Sequence, residues 1–430
     1  MYKPDKLTMT PLKDDLIHGN QYPIPTRRCL PSGLYQSYVE ATHLDLLASN
    51  THMLQGSGIG FSQLEANNSA IGEWIERYAA SHQDIKNLIF ASESDMNHQG
   101  RTFLPIETFI PFISDQYCTN LPYQMWEKED VTSWIESKNI LNQQSVWVPA
   151  FAVHLPHNTD WDQKKNYILQ TSTGISAGKN LQDATIGGFL ECAERNAFAE
   201  FWYRQEQWIQ QIPMLNQEDV LRSHKHPKIK HLFDNNRVQI KLFDLSPISP
   251  IETHVVVLYF PYKGQLFQSM GCASRFNQEE SIIKACLEAY QGIEYAIGLS
   301  QKPENWIQNL PGFESINSFD KHFAFYNRFP LWRKKSPILQ AALSKDSFFP
   351  DQASFQSKIH SWEDINQMGL NHILVIPLST EDVQSQGFEV VRVIVPHWNL
   401  LTGVHTQPFL KNLRAQSGEN LFLTYPHPFP

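Results

Sequence analysis

A chain of 430 residues with 41% hydrophobic and 18% charged residues has the length and balance to bury one large core or two closely packed ones. Its net charge of −9 runs against broad nucleic-acid binding, which needs a basic face, and no run approaches the ~18 apolar residues of a membrane span. The five cysteines (Cys29, Cys118, Cys192, Cys272 and Cys286) form no CxxC pair, and the opening MYKPDKLTMTPLKDDL has no apolar signal core; together these predict a soluble cytoplasmic protein with free thiols.

In chain order, residues 1–35 are rich in proline and polar side chains and read as an irregular lead-in. The domain reading is a lead-in over 1–40 and one compound domain over 41–430, ending in a Pro-rich tail over 424–430. GSGIG (56–60) reads as a strand-to-helix turn, followed by the helical ANNSAIGEWIERYAASH (66–82). YILQTSTG (167–174) reads as a strand and DATIGGFLECAERNAFAEFWYR (183–204) as a helix. VQIKLFDL (238–245) and HVVVLYF (254–260) read as strands, and EESIIKACLEAYQGIEYAIG (279–298) as a third long helix. Residues 300–370 are Pro- and aromatic-rich with helical pieces, and HILVIPL (372–378) and FEVVRVIVP (388–396) give late strands. The alternation predicts a mixed α/β (α+β) fold built from repeated strand–loop–helix units.

Three stretches share one frame: GIGFSQLEA from Gly58, SAGKNLQDA from Ser176 and ASRFNQEES from Ala273. In each, a residue with cap chemistry (Ser62, Asn180, Asn277) precedes an acid by three positions (Glu65, Asp183, Glu280), the spacing of a capping box at a helix start. Eight residues beyond that acid stand Glu73, Glu191 and Glu288, and eleven beyond it Glu76, Glu194 and Gln291. Arginine follows in the first two copies, Arg77 and Arg195. At about 100° per residue these offsets fall on one helix face, within roughly 80° of each other. In the second copy the apolar residues Ile186, Leu190, Ala193, Ala197 and Phe201 flank that face, and Ile283, Leu287 and Tyr290 do so in the third. A solvated helix face would hold such acids opposite the apolar stripe; here they border it, where an unpaired carboxylate is costly. Capping and the helix dipole account equally well for the first-turn acids. For the later pairs the pattern predicts a polycation, most simply Mg²⁺, with substrate phosphates in its shell and Arg77 and Arg195 on phosphate.

These residues resemble the YcaO superfamily. SAIGEWIER (69–77) fits its S-x-x-x-E-x-x-E-R pattern, SAGKNLQDA with ECAER its second signature, ACLEAYQ (285–291) its E-x-x-Q signature, and VVRVIVP (390–396) is similar to its late strand. The resemblance covers roughly residues 50–430. It implies a YcaO-type fold around an ATP site, in keeping with the absence of a GxxxxGK[ST] loop. It implies ATP and Mg²⁺ as cofactors, with Glu73, Glu76, Asp183, Glu191 and Glu194 around the metal. Ser69, Arg77, Ser176, Lys179, Asp183, Arg195, Glu288 and Gln291 would line the nucleotide. Where the family commonly has S-x-G-N, Lys179 follows Gly178 here and Asn180 comes one later.

The ending TYPHPFP, with Pro426, Pro428 and Pro430 alternating, is similar to the PxPxP ending of the azoline-forming branch. That likeness assigns proton transfer to the Pro430 carboxylate, beside Arg195 and Gln291 as further catalytic groups; stiff, extended proline geometry suits such delivery. The implied activity is that of an ATP-dependent cyclodehydratase converting Cys, Ser or Thr of a ribosomal precursor peptide to thiazoline or oxazoline rings in bacteriocin- or toxin-type biosynthesis. On family grounds the length implies a stand-alone D-type protein working with a leader-binding C-type partner, and the resemblance further implies a flavin-dependent azoline dehydrogenase and a homodimer within the complex. Thioamide or amidine formation is the alternative within the superfamily, and a non-catalytic nucleotide-binding scaffold the alternative outside enzymology.

Overall fold

The computed structural model describes residues 19–24, 29–41, 55–118, 121–157, 165–350, 358–413 and 425–429. Three long helices organise it: α1 (Gln63–Ser81), α2 (Leu181–Tyr203) and α3 (Gln278–Leu299). Each starts at the cap read from the repeat. Ser62 Oγ accepts the Glu65 amide at 3.1 Å, Asn180 Oδ1 that of Asp183 at 2.9 Å, and Asn277 Oδ1 that of Glu280 at 3.1 Å. Each cap satisfies one of the amides a helix start leaves without an intrahelical partner.

The described strands form three sheets. β1 (Gly19–Ile24), β2 (Tyr35–Ala41) and β3 (Gln55–Gly60) pair antiparallel in that order. A second sheet contains β4 (Leu88–Ala91), β5 (Thr132–Asn139), β6 (Ser145–Pro149) and β7 (Ile175–Gly178). A third takes β8 (Met214–Asn216), β9 (Gln239–Asp244), β10 (Glu252–Tyr262) and β11 (Gln265–Arg275), in the order β11-β10-β9-β8. β12 (Leu374–Pro377) and β13 (Glu389–Ile394) return to complete the second sheet as β4-β5-β12-β13-β7, with β6 also on β5.

β3, β7 and β11, the strands that lead into the three helices, are each the last strand of their sheet. Around them the helices close a ring. α1 packs on β3 and on β7, α2 on β7 and on β11, and α3 on β11 and back on β3. Glycines let the helix backbones come down onto their own strands. A Cβ at Gly58 would stand 2.2 Å from the Ala66 carbonyl oxygen, and one at Gly271 2.2 Å from that of Ala285, so only glycine fits at that approach. The largest core lies between α2, α3 and the third sheet, with Phe198, Trp202, Tyr259, Phe260 and Tyr290 fully buried. α1 packs Trp74 and Ile75 into a second core with β5, β6 and β12.

Several stretches differ from the sequence reading. Residues 19–24 and 35–41, placed in or at the edge of an irregular lead-in, form β1 and β2; their polar, proline-containing pattern suits a small sheet whose pairing is chiefly a backbone matter. Residues 167–174 are not strand, which begins only at Ile175. β11 carries no alternation because it is buried on both faces along most of its length. Asn327 Oδ1 accepts the Gln268 backbone amide at 2.7 Å and Asn327 Nδ2 donates to the Gln268 backbone carbonyl at 2.9 Å, while the Gln268 side-chain amide is buried without a hydrogen-bond partner. No described helix is long and apolar enough to cross a membrane.

Candidate functional site

The ring gives the repeated acids two distinct jobs. The residue eight past the cap acid turns to its own strand. Glu73 Oε2 accepts the Ser57 amide of β3 at 2.7 Å, and Glu191 Oε2 accepts the amide of Gly174, just ahead of β7, at 3.0 Å. Glu288 packs against Gly271 of β11. The residue eleven past it reaches across to the next unit. Glu76 of α1 accepts the Ala177 amide of β7 at 2.8 Å, Glu194 of α2 lies in the field of Arg275 at the end of β11, and Gln291 of α3 donates to Ser57 Oγ of β3 at 2.8 Å. The +11 residue of one helix therefore meets the +8 residue of the next at three junctions: Glu76 with Glu191, Glu194 with Glu288, and Gln291 with Glu73 through Ser57.

The arginines that follow the +11 acids fold back on acids of their own helix. Arg195 donates to Glu194 at 2.7 Å and stands 3.7 Å from Glu191. Arg77 pairs with Glu73 at 2.6 Å and donates to the Gln55 carbonyl at 2.8 Å. Lys284, one helical turn before Glu288, pairs with it at 3.1 Å. Glu194 is 5% exposed. Burial first, then the charges of Glu191 and Glu73, push the Glu76 carboxyl up to about 8 against the pull of the Ala177 amide. Burial likewise pushes Glu194 up to about 8, with Glu288 and Glu191 adding to it and Arg195 opposing. Glu191 is raised by burial too, with Arg195 and the Gly174 amide opposing. Burial works against the Arg195 charge, but Glu194, Glu191 and Glu288 more than restore it and hold it firmly cationic.

The structure separates the remaining sequence-predicted residues. Asp183 is exposed at the first turn of α2, where it holds the Asn180 side chain at 2.9 Å, two turns from Glu191. Glu65 likewise accepts the Phe61 amide at the start of α1. Lys179 is exposed on the turn before α2. Ser176 is buried in β7 opposite Val391 and faces Gly187 of α2; Ser69 lies against Gly58 on the face of α1 that meets β3. The tail reaches the ring. Phe429 is buried, its ring centroid 4.2 Å from the Arg195 guanidinium carbon and 4.8 Å from the Phe198 ring, while Pro430 lies outside the described residues. Cys192, Cys272 and Cys286 are buried, and burial lifts the Cys192 thiol to about 12, which leaves it inert.

Four contributors escaped the sequence reading. Ser57 sat inside GSGIG, where the glycines drew attention to the turn. Lys284 stands four past the cap acid Glu280, outside the offsets of eight and eleven that carried the pattern. Arg275 follows a strand that gave no periodic signal. Arg392, in the apolar run of β13, donates to the Thr171 carbonyl at 2.8 Å and pulls on Glu191.

Among the described residues, no three His, Cys, Asp or Glu side chains already stand around one point as a metal shell; Arg77, Arg195, Lys284 and backbone amides take up the carboxylate oxygens instead. The donor set is nevertheless all hard oxygen, the kind Mg²⁺ takes. Like-charged neighbours add to the raising of Glu76, Glu191 and Glu194, which a divalent cation would hold ionised. The set fits the metal.

A family model described as YcaO cyclodehydratase, ATP- and Mg²⁺-binding, matches residues 57–399. Among solved structures, a heterocyclase in complex with substrate and cofactor is similar at TM-score 0.65 and 19% identity, over 94% of this chain and 53% of that one. The chain thus spans about half that heterocyclase's length. A YcaO from Methanopyrus kandleri bound with AMPPCP and Mg²⁺ is similar at TM-score 0.54 and 17% identity, over 90% of this chain and 88% of that one. The E. coli microcin synthetase McbBCD complex contains a chain similar at TM-score 0.61 and 15% identity, over 98% of this chain and 99% of that one.

Proposed function

The chain belongs to the YcaO cyclodehydratase family, which binds ATP and Mg²⁺, and we propose that it uses them to form azolines in a ribosomal precursor peptide. A Cys, Ser or Thr side chain adds to the preceding amide carbon, and the resulting oxyanion takes the γ-phosphoryl group of ATP. Phosphate then leaves with that oxygen as the C=N bond forms and the amide N–H proton departs, giving an azoline, ADP and phosphate. The amide oxygen, a poor leaving group by itself, leaves as part of phosphate.

The observation that carries this reading is the ring of junctions, which joins carboxylates of three helices and sets the half-buried Arg195 among those of α2 and α3. Glu73, Glu76, Glu191, Glu194 and Glu288 would hold Mg²⁺, which when bound neutralises charge on the transferring phosphoryl group. Arg195, clamped by Glu194 and Glu191 and covered by Phe429, is a fixed cation that needs no reorganisation to face a phosphate oxygen. Arg77, more exposed on α1, serves the nucleotide from the solvent side. Gln291 and Ser57 close the ring without adding charge, and Ser69, Ser176 and Lys179 border it.

The McbBCD likeness supports action within a complex: a leader-binding partner presenting the peptide and a flavin-dependent dehydrogenase oxidising the rings. The test is mass spectrometry of a candidate precursor incubated with the protein, its partner, ATP and Mg²⁺. The expected result is loss of one water per ring with stoichiometric ADP; exchange of oxygen for sulfur would show thioamide formation, and the absence of peptide-dependent ATP hydrolysis a scaffold.

A further inference from the structure

On the far side of α2 from α3, a cavity opens beneath the end of β13. It encloses about 90 Å³ and opens to solvent at its mouth, space on the scale of one side chain and not of a whole small ligand. Phe109, Phe151, Trp398 and Phe409 supply much of its wall, and Cys192, next in sequence to Glu191, is part of it. Polar side chains, Gln170, Thr173, Asn412, His154 and Arg392 among them, interrupt this lining, and the last two each keep an unpartnered atom. His154 and Arg392 are each 6% exposed, both line the cavity, and His154 Nδ1 and Arg392 Nε have no hydrogen-bond partner. Arg392 is anchored by its other end, through Nη1 to the Thr171 carbonyl. Burial holds the His154 ring neutral, its pKa down at about 4. At the rim His397 carries a backbone φ of +69°, a conformation that non-glycine residues adopt at a cost and that gathers at ligand sites.

Unmet buried hydrogen-bonding atoms are rare because each costs roughly 1–3 kcal/mol. Two of them facing one cavity ask for a ligand with a matching polar pair inside an apolar body. Arg392 offers a donor, and a neutral imidazole offers a donor or an acceptor according to its tautomer. A peptide amide beside an apolar side chain has that make-up: one acceptor, one donor and a hydrophobic payload. Arg392 also acts on Glu191, so a group held here lies against the wall of the acid ring.

We propose that this cavity is a subsite for the precursor peptide, taking an aromatic or branched apolar side chain near the reacting amide, with a backbone amide bound between Arg392 Nε and His154 Nδ1. The inference rests on the peptide substrate proposed above, and its test is independent of turnover. The probes are N-acetylphenylalanine amide, N-acetylserine amide and AMP, titrated by ligand-detected NMR against the full chain and against Leu400→Trp, which fills the cavity, and His154→Phe, which removes one polar partner. The expected result is binding of the phenylalanine amide at millimolar concentration, no binding of the serine amide, no displacement by AMP, and binding weaker by about tenfold or more in both variants. Melting curves establish which variants are folded, and either one alone decides the question. Displacement by AMP would make the cavity a nucleotide subsite and overturn the proposal. So would an unbound phenylalanine amide, or one bound equally well by both variants. A chain that binds the probe as expected yet processes no peptide would sink the functional reading and leave the cavity's ligand preference standing.

Discussion

At the α1–α2 and α2–α3 junctions a carboxylate meets a carboxylate, whereas at the α3–α1 junction an amide meets a carboxylate, and the chemistry around each follows from that. Glu76 lies beside Glu191 and Glu194 beside Glu288, and repulsion adds to burial in lifting Glu76 and Glu194 to about 8. At the third junction Ser57 donates both its amide and its hydroxyl to Glu73 and receives the Gln291 amide, and Arg77 pairs with the other Glu73 oxygen, so its single carboxylate is satisfied without a second one beside it. The cation that follows the +11 residue differs too. Arg77 and Arg195 stand there in the first two copies, but the third has Gly292, where a Cβ would lie 2.1 Å from Ser269 Oγ and 3.0 Å from the Phe323 ring. One fold repeated three times thus yields two junctions where carboxylate faces carboxylate and one whose single carboxylate is held by Arg77 and Ser57.

The largest expected effect comes from discharging the carboxylate junctions. Glu194→Gln and Glu76→Gln should each lower peptide-dependent ATP turnover by about a hundredfold or more. Because each removes a repelled buried charge, melting without Mg²⁺ should be unchanged or higher. Near-normal turnover in both variants would break the contrast. Next comes the reverse change. Gln291→Glu gives the third junction the like-charge pair of the other two, and should cost about 1–3 kcal/mol of stability in EDTA. Chemical denaturation with and without Mg²⁺ reads it, and recovery with Mg²⁺ is expected if all three junctions are equivalent in design. A loss that Mg²⁺ does not reverse would mean that the third junction has no room for a metal.

Much of this ring was legible in the sequence because capping and helical periodicity are local. Ser62, Asn180 and Asn277 mark the helix starts, and offsets of eight and eleven put Glu73, Glu76, Glu191, Glu194, Glu288 and Gln291 on the faces that meet. The same periodicity said nothing of which strand each acid would meet, since α1 on β7 and α3 on β3 are long-range contacts. Ser57, Lys284 and Arg392 were invisible for that reason, as was the distance that leaves Asp183 a capping residue. β1 and β2 escaped because a small antiparallel sheet needs no apolar alternation. The resemblance to YcaO proteins supplied ATP and the peptide; the residues alone reached only Mg²⁺ and phosphate.

A smaller effect separates the junctions by pH. Glu76 and Glu194 have folded-state values near 8 against about 4.5 for a free carboxyl, so between those limits the native state binds more protons than the unfolded chain. Stability without metal should therefore fall as pH rises from about 4.5 towards 8. Mg²⁺, which binds the ionised form, should oppose that fall and act most strongly at the upper end. Melting temperature across this window, with EDTA or Mg²⁺, reads both slopes, and Glu194→Gln should flatten the first. A metal-free slope of the opposite sign would show that neighbouring cations, Arg195 above all, outweigh the repulsion.

The smallest effect belongs to the junction with a single carboxylate. Ser57→Ala removes the hydroxyl that donates to Glu73 at 3.2 Å and accepts from Gln291 at 2.8 Å, while the backbone amide still reaches Glu73 at 2.7 Å. Gln291 then loses its partner across the α3–β3 seam, at a cost of about 1–2 kcal/mol, read as a shift in the denaturation midpoint. Turnover should drop only a fewfold, and the KM for ATP should move more than kcat, because Ser57 positions the ring without touching the transferred group. A loss as deep as that of Glu194→Gln would place Ser57 among the groups that contact phosphate, and the third junction would then be catalytic despite its missing second carboxylate.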